Sequence, residues 1–125
     1  MPAITIDQPQ FADPNPKVSR YLFTAYGEVE PATDYGVRCE LIPDATTTPV
    51  ASVDPCPLYT NGNVTTWVAA FFGLAEMTNC SIVATRTATG AGTHSYSHRI
   101  DLVSIPPEII KSPIPIPVIT TATPP

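Results

Sequence analysis

Val64-Thr-Thr-Trp67-Val-Ala-Ala-Phe71-Phe72-Gly73-Leu74-Ala-Glu-Met77 can be read in two ways, and the choice between them fixes the fold class. Val64, Trp67, Phe71 and Leu74 recur at helical spacing, and Ala69-Ala70 favour a helix. Against this, Val64 to Val68 are β-formers without exception, and Gly73 would fall inside any helix covering the stretch. A strand from Val64 to Phe72 is the better reading, and it makes the chain all-β.

The surroundings agree. Of sixteen prolines, nine lie in residues 1–57 and seven in 106–125, so Leu58 to Ile105 has none. Proline cannot donate to a ladder, so the heart of a sheet is expected where proline is missing. Seventeen threonines favour strands over helices. Candidate strands are Ala3–Asp7, Arg20–Val29, Tyr35–Ile42, Thr48–Val53, Val64–Phe72, Cys80–Thr87 and Ser95–Ser104, separated by turn clusters such as Asn61-Gly62-Asn63 and Gly90-Ala91-Gly92. Seven short strands at this spacing predict an antiparallel β-sandwich. With 125 residues there is room for one such domain, residues 1–105, followed by a Pro/Ile-rich extended arm, residues 106–125.

Alternation gives the register. Val37, Cys39 and Leu41 share one face while Arg38 and Glu40 share the other. In the last strand Tyr96, His98, Ile100 and Leu102 alternate with Ser97, Arg99 and Asp101. The expected core is Val37, Leu41, Trp67, Phe71, Ile82, Ala84, Ile100 and Leu102.

The run Trp67-Val-Ala-Ala-Phe-Phe-Gly-Leu74, followed by Ala-Glu-Met-Thr-Asn-Cys80-Ser-Ile82-Val-Ala84-Thr, Gly90-Ala-Gly92 and a final alternating strand, resembles the second half of a bacterial immunoglobulin-like or fibronectin type III-like domain. Ile4-Thr-Ile6-Asp-Gln-Pro9 and Tyr26-Gly27-Glu-Val29 resemble the first strands of such modules. The resemblance covers about residues 3–105 and implies an immunoglobulin-like antiparallel sandwich of about seven strands. With Tyr35–Ile42 as its third strand and Cys80 opening its sixth, Cys39 and Cys80 would sit in neighbouring strands of one sheet. Because sandwiches host many tasks, the resemblance implies fold more than function.

Chemistry is sparse. Charged residues are 14% of the chain and the net charge is −5, with six scattered cations, which disfavours a nucleic-acid surface. No apolar run approaches the roughly 18 residues of a membrane span. The first twenty residues hold no apolar signal-peptide core, so either a leader has been removed or the protein needs none; an extracellular surface or a virion is the expected location. Cys39, Cys56 and Cys80 are an odd set without C-x-x-C spacing and read as buried thiols, one disulfide plus a free thiol being the alternative. His94 and His98, four apart on a strand, lie roughly 13 Å apart, too far to share a metal, and read as exposed edge residues. Ser95 or Ser97 beside His98 is adjacency rather than a triad, and Glu28 with Glu30 reads as a solvated face. Asn63-Val-Thr65 and Asn79-Cys-Ser81 match the glycosylation pattern by chance in a Thr-rich chain. No catalytic residue, cofactor or metal site is expected.

Two functions remain. One is a non-enzymatic structural or assembly protein that decorates a larger surface, its partners copies of itself or another structural protein. The other is a ligand-binding or adhesion module, for example for carbohydrate, using Tyr26, Tyr35, Tyr59 and Tyr96. The arm favours the first: Ile109, Ile110, Ile114, Ile116, Val118 and Ile119 are more apolar surface than a linker carries, and they are the expected partner-binding residues. Pro113, Pro115 and Pro117 take the missing N–H groups of an extended chain to one edge, leaving those of Ile114, Ile116 and Val118 on the other, which suits addition to a neighbour's strand.

Overall fold

The computed structural model describes residues 3–8, 11, 13–31, 34–90 and 92–105, which form eight strands and no α-helix. The expected arm, with Ile109, Ile110, Ile114, Ile116, Val118 and Ile119, lies outside the described residues. The strands are β1 (Lys17–Ser19), β2 (Leu22–Val29), β3 (Tyr35–Pro43), β4 (Ala51–Val53), β5 (Leu58–Asn61), β6 (Val64–Phe72), β7 (Met77–Ala88) and β8 (Gly92–Val103). They build two sheets, β1-β8-β7-β3-β4 and β2-β6-β5, all pairs antiparallel except β1 with β8. One apolar cluster takes residues from both sheets, as in a β-sandwich.

Val64–Phe72 is a strand because its burial follows period two: Thr65, Trp67, Ala69 and Phe71 are buried, while Val64 and Phe72, at its two ends, are exposed. Leu74, which shared the helical spacing, lies beyond the strand. All eight expected core residues are buried, none more than 3% exposed. Cys39 and Cys80 lie on β3 and β7, which pair directly, with Cys39 opposite Ala84 and Cys80 opposite Pro43. β7 and β8 exceed the expected spans, while the expected Thr48–Val53 contracts to β4. A β-bulge between Met77 and Cys80 carries Asn79 at φ 56°, a left-handed conformation that Asn tolerates better than most residues.

Besides β1, an unexpected strand that pairs in parallel with β8, three departures from the expected strands have local causes. Arg20–Val29 is not one strand: the Arg20 N–H donates to Val103 in the larger sheet (2.8 Å), whereas the Tyr21 carbonyl accepts from Gly73 beside the smaller one (2.9 Å). The Arg20 carbonyl already accepts from Leu74 on that side (2.8 Å), so the chain changes sheets at Arg20 itself. Second, β5 is an additional strand, joined to β6 by the two-residue loop Gly62-Asn63. Gly62 holds φ 64° and Asn63 has no positive φ, the pattern of a type II′ turn. Third, Ala3–Asp7 follows the outer edge of β2 without forming a regular strand. Thr5 and Asp7 donate to the Glu28 and Tyr26 carbonyls (2.9 and 3.0 Å), and a bridge joins Ile4 to Val29.

The irregularity of that edge comes from Trp67. In a regular ladder the Thr5 carbonyl would accept from the Glu28 N–H; instead it accepts from the Trp67 indole N–H (2.8 Å), satisfying a donor that is otherwise fully buried. The Glu28 N–H turns to the Asp7 carboxylate (3.1 Å) and the Thr5 hydroxyl (3.2 Å). The Gln8 amide extends the edge, donating to the Thr24 carbonyl (2.7 Å) and accepting from the Tyr26 N–H (2.8 Å). Gly27, opposite Trp67 on β2, makes room: a Cβ there would lie 1.8 Å from the Thr5 oxygen.

Candidate interaction surface

The outer faces of the two sheets differ in chemistry. On the five-stranded sheet, Lys17 stands opposite Asp101 and Ser81 opposite Arg99. Arg99 binds Asp44 through both guanidinium nitrogens, one contact at 3.0 Å, and Arg38 pairs with Glu40 at 3.2 Å. Asn79 donates its N–H to Asp101 (2.8 Å), which together with the Asn15 side chain holds that carboxyl below its ordinary range, Lys17 and Arg99 adding to the effect. These pairs are solvent-exposed and keep the face wet rather than stabilising the fold appreciably.

The three-stranded sheet turns out Leu22, Thr24, Tyr26 and Glu28 from β2, and Val64, Thr66, Val68, Ala70 and Phe72 from β6. β5 adds Tyr59 and Asn61. Glu28 is the one charged residue of these eleven. Phe72 is 70% exposed, Tyr59 62% and Val64 45%; Leu22 stands opposite Phe72, and Tyr21 next to it carries the Arg20 guanidinium over its ring (4.7 Å). The Tyr26 hydroxyl titrates above its ordinary value, first because it is partly buried and second because Asp7 is near. The last described residues end close to this surface: the Ser19 hydroxyl donates to the Ile105 carbonyl, two residues before Tyr21.

Other residues singled out from sequence are not gathered. Of the four tyrosines, Tyr26 and Tyr59 share the outer face of the smaller sheet, Tyr35 is half-buried under the Arg86 guanidinium (5.7 Å), and Tyr96 is on β8. Ser97 stands opposite Val83 on one face of β8, and His98 stands opposite Ile82 on the other, so strand alternation separates them. His98 is half-buried rather than an exposed edge residue: its ring stacks on Phe11 (5.1 Å) and hydrogen-bonds the Asp13 carbonyl oxygen (2.9 Å). Glu28 and Glu30 are both exposed, Glu30 lying just past the end of β2. Among the described residues, no three His, Cys, Asp or Glu side chains form a group that could hold a metal.

Cys39, Cys56 and Cys80 are buried free thiols. The Cys56 thiol donates to the Val53 carbonyl (3.3 Å). Burial pushes all three thiols up, Cys80 to about 11, Cys56 to about 12 and Cys39 further. They behave as small apolar core groups, not nucleophiles. No family model, curated protein or solved structure matches the chain.

Proposed function

We propose that this protein is a non-enzymatic structural or assembly module, an immunoglobulin-like sandwich that decorates a larger surface such as a virion, cell-surface layer or fibre. In this reading residues 106–125 contact neighbouring subunits. The observation that carries it is the contrast between the two outer faces: one laced with ion pairs, the other with Glu28 as the one charged residue among its eleven strand residues and Asp7 beside it at the β2 edge. A contiguous apolar face on a small domain marks a surface that meets another molecule. The Leu22 and Phe72 end of this face lies near Ile105, the last described residue, which Ser19 holds two residues before Tyr21.

The strand order supports the immunoglobulin-like part. With β2 as the second strand of such a fold, β2-β6-β5 has the order B-E-D, and β8-β7-β3-β4 has the order G-F-C-C′ of its opposing sheet. An extracellular surface or a virion, with copies of itself or another structural protein as partners, completes the proposal. A carbohydrate-binding module is the competing reading, favoured by the exposed rings of Tyr59 and Phe72 on one face.

Sedimentation velocity separates the two. An assembly protein forms oligomers that revert to monomers when residues 106–125 are deleted, with the sandwich intact by far-UV circular dichroism. A monodisperse monomer whose behaviour the deletion leaves unchanged would overturn the proposal.

A further inference from the structure

β5 ends the three-stranded sheet, and the pairing pattern shows which of its backbone groups are spare. Val68 donates its N–H to the Pro57 carbonyl (3.1 Å), making these two a hydrogen-bonded pair. Continuing the register, Tyr59 bonds Thr66 and Asn61 bonds Val64, while Leu58 and Thr60 stand opposite Trp67 and Thr65 as non-bonded pairs. The Thr60 and Thr65 hydroxyls, 3.0 Å apart, show the close approach typical of a non-bonded pair. The N–H and C=O groups of Leu58 and Thr60 therefore point away from β6. No described strand lies beyond them, and all four residues of β5 are exposed. Edges are commonly guarded by a charge, a proline or a bulge; Leu58–Asn61 has none and relies on shortness alone.

We propose that this edge receives the C-terminal arm of a second copy of the chain, with Ile114, Ile116 and Val118 supplying the N–H groups. The inference rests on the assembly reading above and names its acceptor. The spare groups of β5 repeat every second residue, and so do the N–H groups of Pro113-Ile-Pro-Ile-Pro-Val118. Two isoleucines set opposite Leu58 and Thr60 would complete both partners' hydrogen bonds. Residues directly opposite share a face, so the isoleucines would cover Leu58 on the side of Trp67, and the proline rings would lie beside Tyr59. The prolines offer no donor to a further strand, so the sheet grows by one strand and stops.

The position of the arm's origin makes the acceptor a second copy. Ile105 is held by Ser19 in β1, at an edge of the larger sheet and at the Phe72 end of β6. β5 lies at the edge of the smaller sheet away from β2, and its Asn61 pairs with Val64, at the other end of β6. Residues 106–125 contain no Gly, Asn or Asp to take the left-handed conformations of a tight reversal, and alternating prolines favour an extended chain in which Ile114 reaches at most about 30 Å from Ile105. An arm leaving one edge and landing on a different edge of the next copy is a head-to-tail contact, which builds rings or open arrays.

The test uses the full chain in sedimentation velocity, with the Trp67 fluorescence spectrum checking the fold of each variant. Leu58→Lys guards the edge, and Ile116→Pro removes one arm donor; each is expected to weaken association about tenfold or more. Mixed together, the two variants are expected to form a 1:1 pair and nothing larger, because one retains the arm and the other the edge. The inference is overturned if Leu58→Lys assembles like the wild type, or if the mixture stays unassociated. If Ile116→Pro alone dissociates the assembly, the arm keeps its role and the β5 assignment falls. A wild-type chain that is monomeric throughout removes both.

Discussion

Gly27→Ala tests the packing of residues 3–8 against β2, at the one glycine where a Cβ would meet backbone. The new Cβ would lie 1.8 Å from the Thr5 oxygen, 2.6 Å from the Thr5 carbonyl carbon and 2.9 Å from the Ile6 Cα, all backbone atoms that no rotamer change can move aside. Residues 3–8 must shift off the edge of β2. If they leave entirely, Ile4 and Ile6 lose burial worth about 1.5–3 kcal/mol each. The Trp67 indole N–H also loses its acceptor, at about 1–3 kcal/mol for an unsatisfied buried donor. Partial relaxation reduces the total, so the expected loss is about 3–6 kcal/mol, a large share of the roughly 5–15 kcal/mol that holds a domain together. Gly36→Ala is the control, because a Cβ there meets nothing within 4 Å, and its expected effect is within about 0.5 kcal/mol. Urea unfolding followed by the single Trp gives both values. A Gly27→Ala midpoint equal to that of Gly36→Ala would refute the close approach of Thr5 and the reasoning built on it.

Trp67→Ala, at the centre of the core, is expected to cost about 3–5 kcal/mol in urea unfolding followed by far-UV circular dichroism, since the variant has no Trp, and an unchanged midpoint would contradict the register of β6. The buried thiols should resist a disulfide-exchange reagent in the native protein and all three should react in urea; because none is bonded, reductant should leave the melting temperature unchanged. The same thiols make stability fall in alkali. Their folded pKa values lie above the ordinary value of 9.0, so their contribution is complete below pH 9 and is lost as pH rises, through about 11 for Cys80 and about 12 for Cys56. Each contributes a slope of about 1 kcal/mol per pH unit in its window, and Cys80→Ala should flatten the curve in pH-dependent urea titrations.

What could be read from the sequence was what alternation and proline placement encode. Val37, Cys39 and Leu41, then Ile100 and Leu102, announce their faces because each strand buries one side only, and the missing prolines between Leu58 and Ile105 bracket β5 to β8. The helical spacing of Val64, Trp67, Phe71 and Leu74 was a coincidence that Thr65 and Ala69, buried between them, resolve. β1 and β5 have three and four residues, too few for a period to show, although Gly62-Asn63 was a usable hairpin signal. The sheet change at Arg20 and the need for glycine at 27 depend on contacts with Val103, Leu74 and Thr5, distant in sequence, which no local pattern carries. The candidate surface had the same difficulty: Leu22, Val64, Phe72 and Tyr59 become one face only after β2, β6 and β5 are paired.

Photo-crosslinking from β5 is the most direct measurement. With p-benzoylphenylalanine in place of Tyr59, which is 62% exposed, the full chain is irradiated at a concentration where it assembles and the junctions are mapped by mass spectrometry. The predicted result is a dimer-sized product joining position 59 of one copy to residues 113–118 of another. Products joined only within one chain, or dimers linked through residues outside the arm, would contradict it.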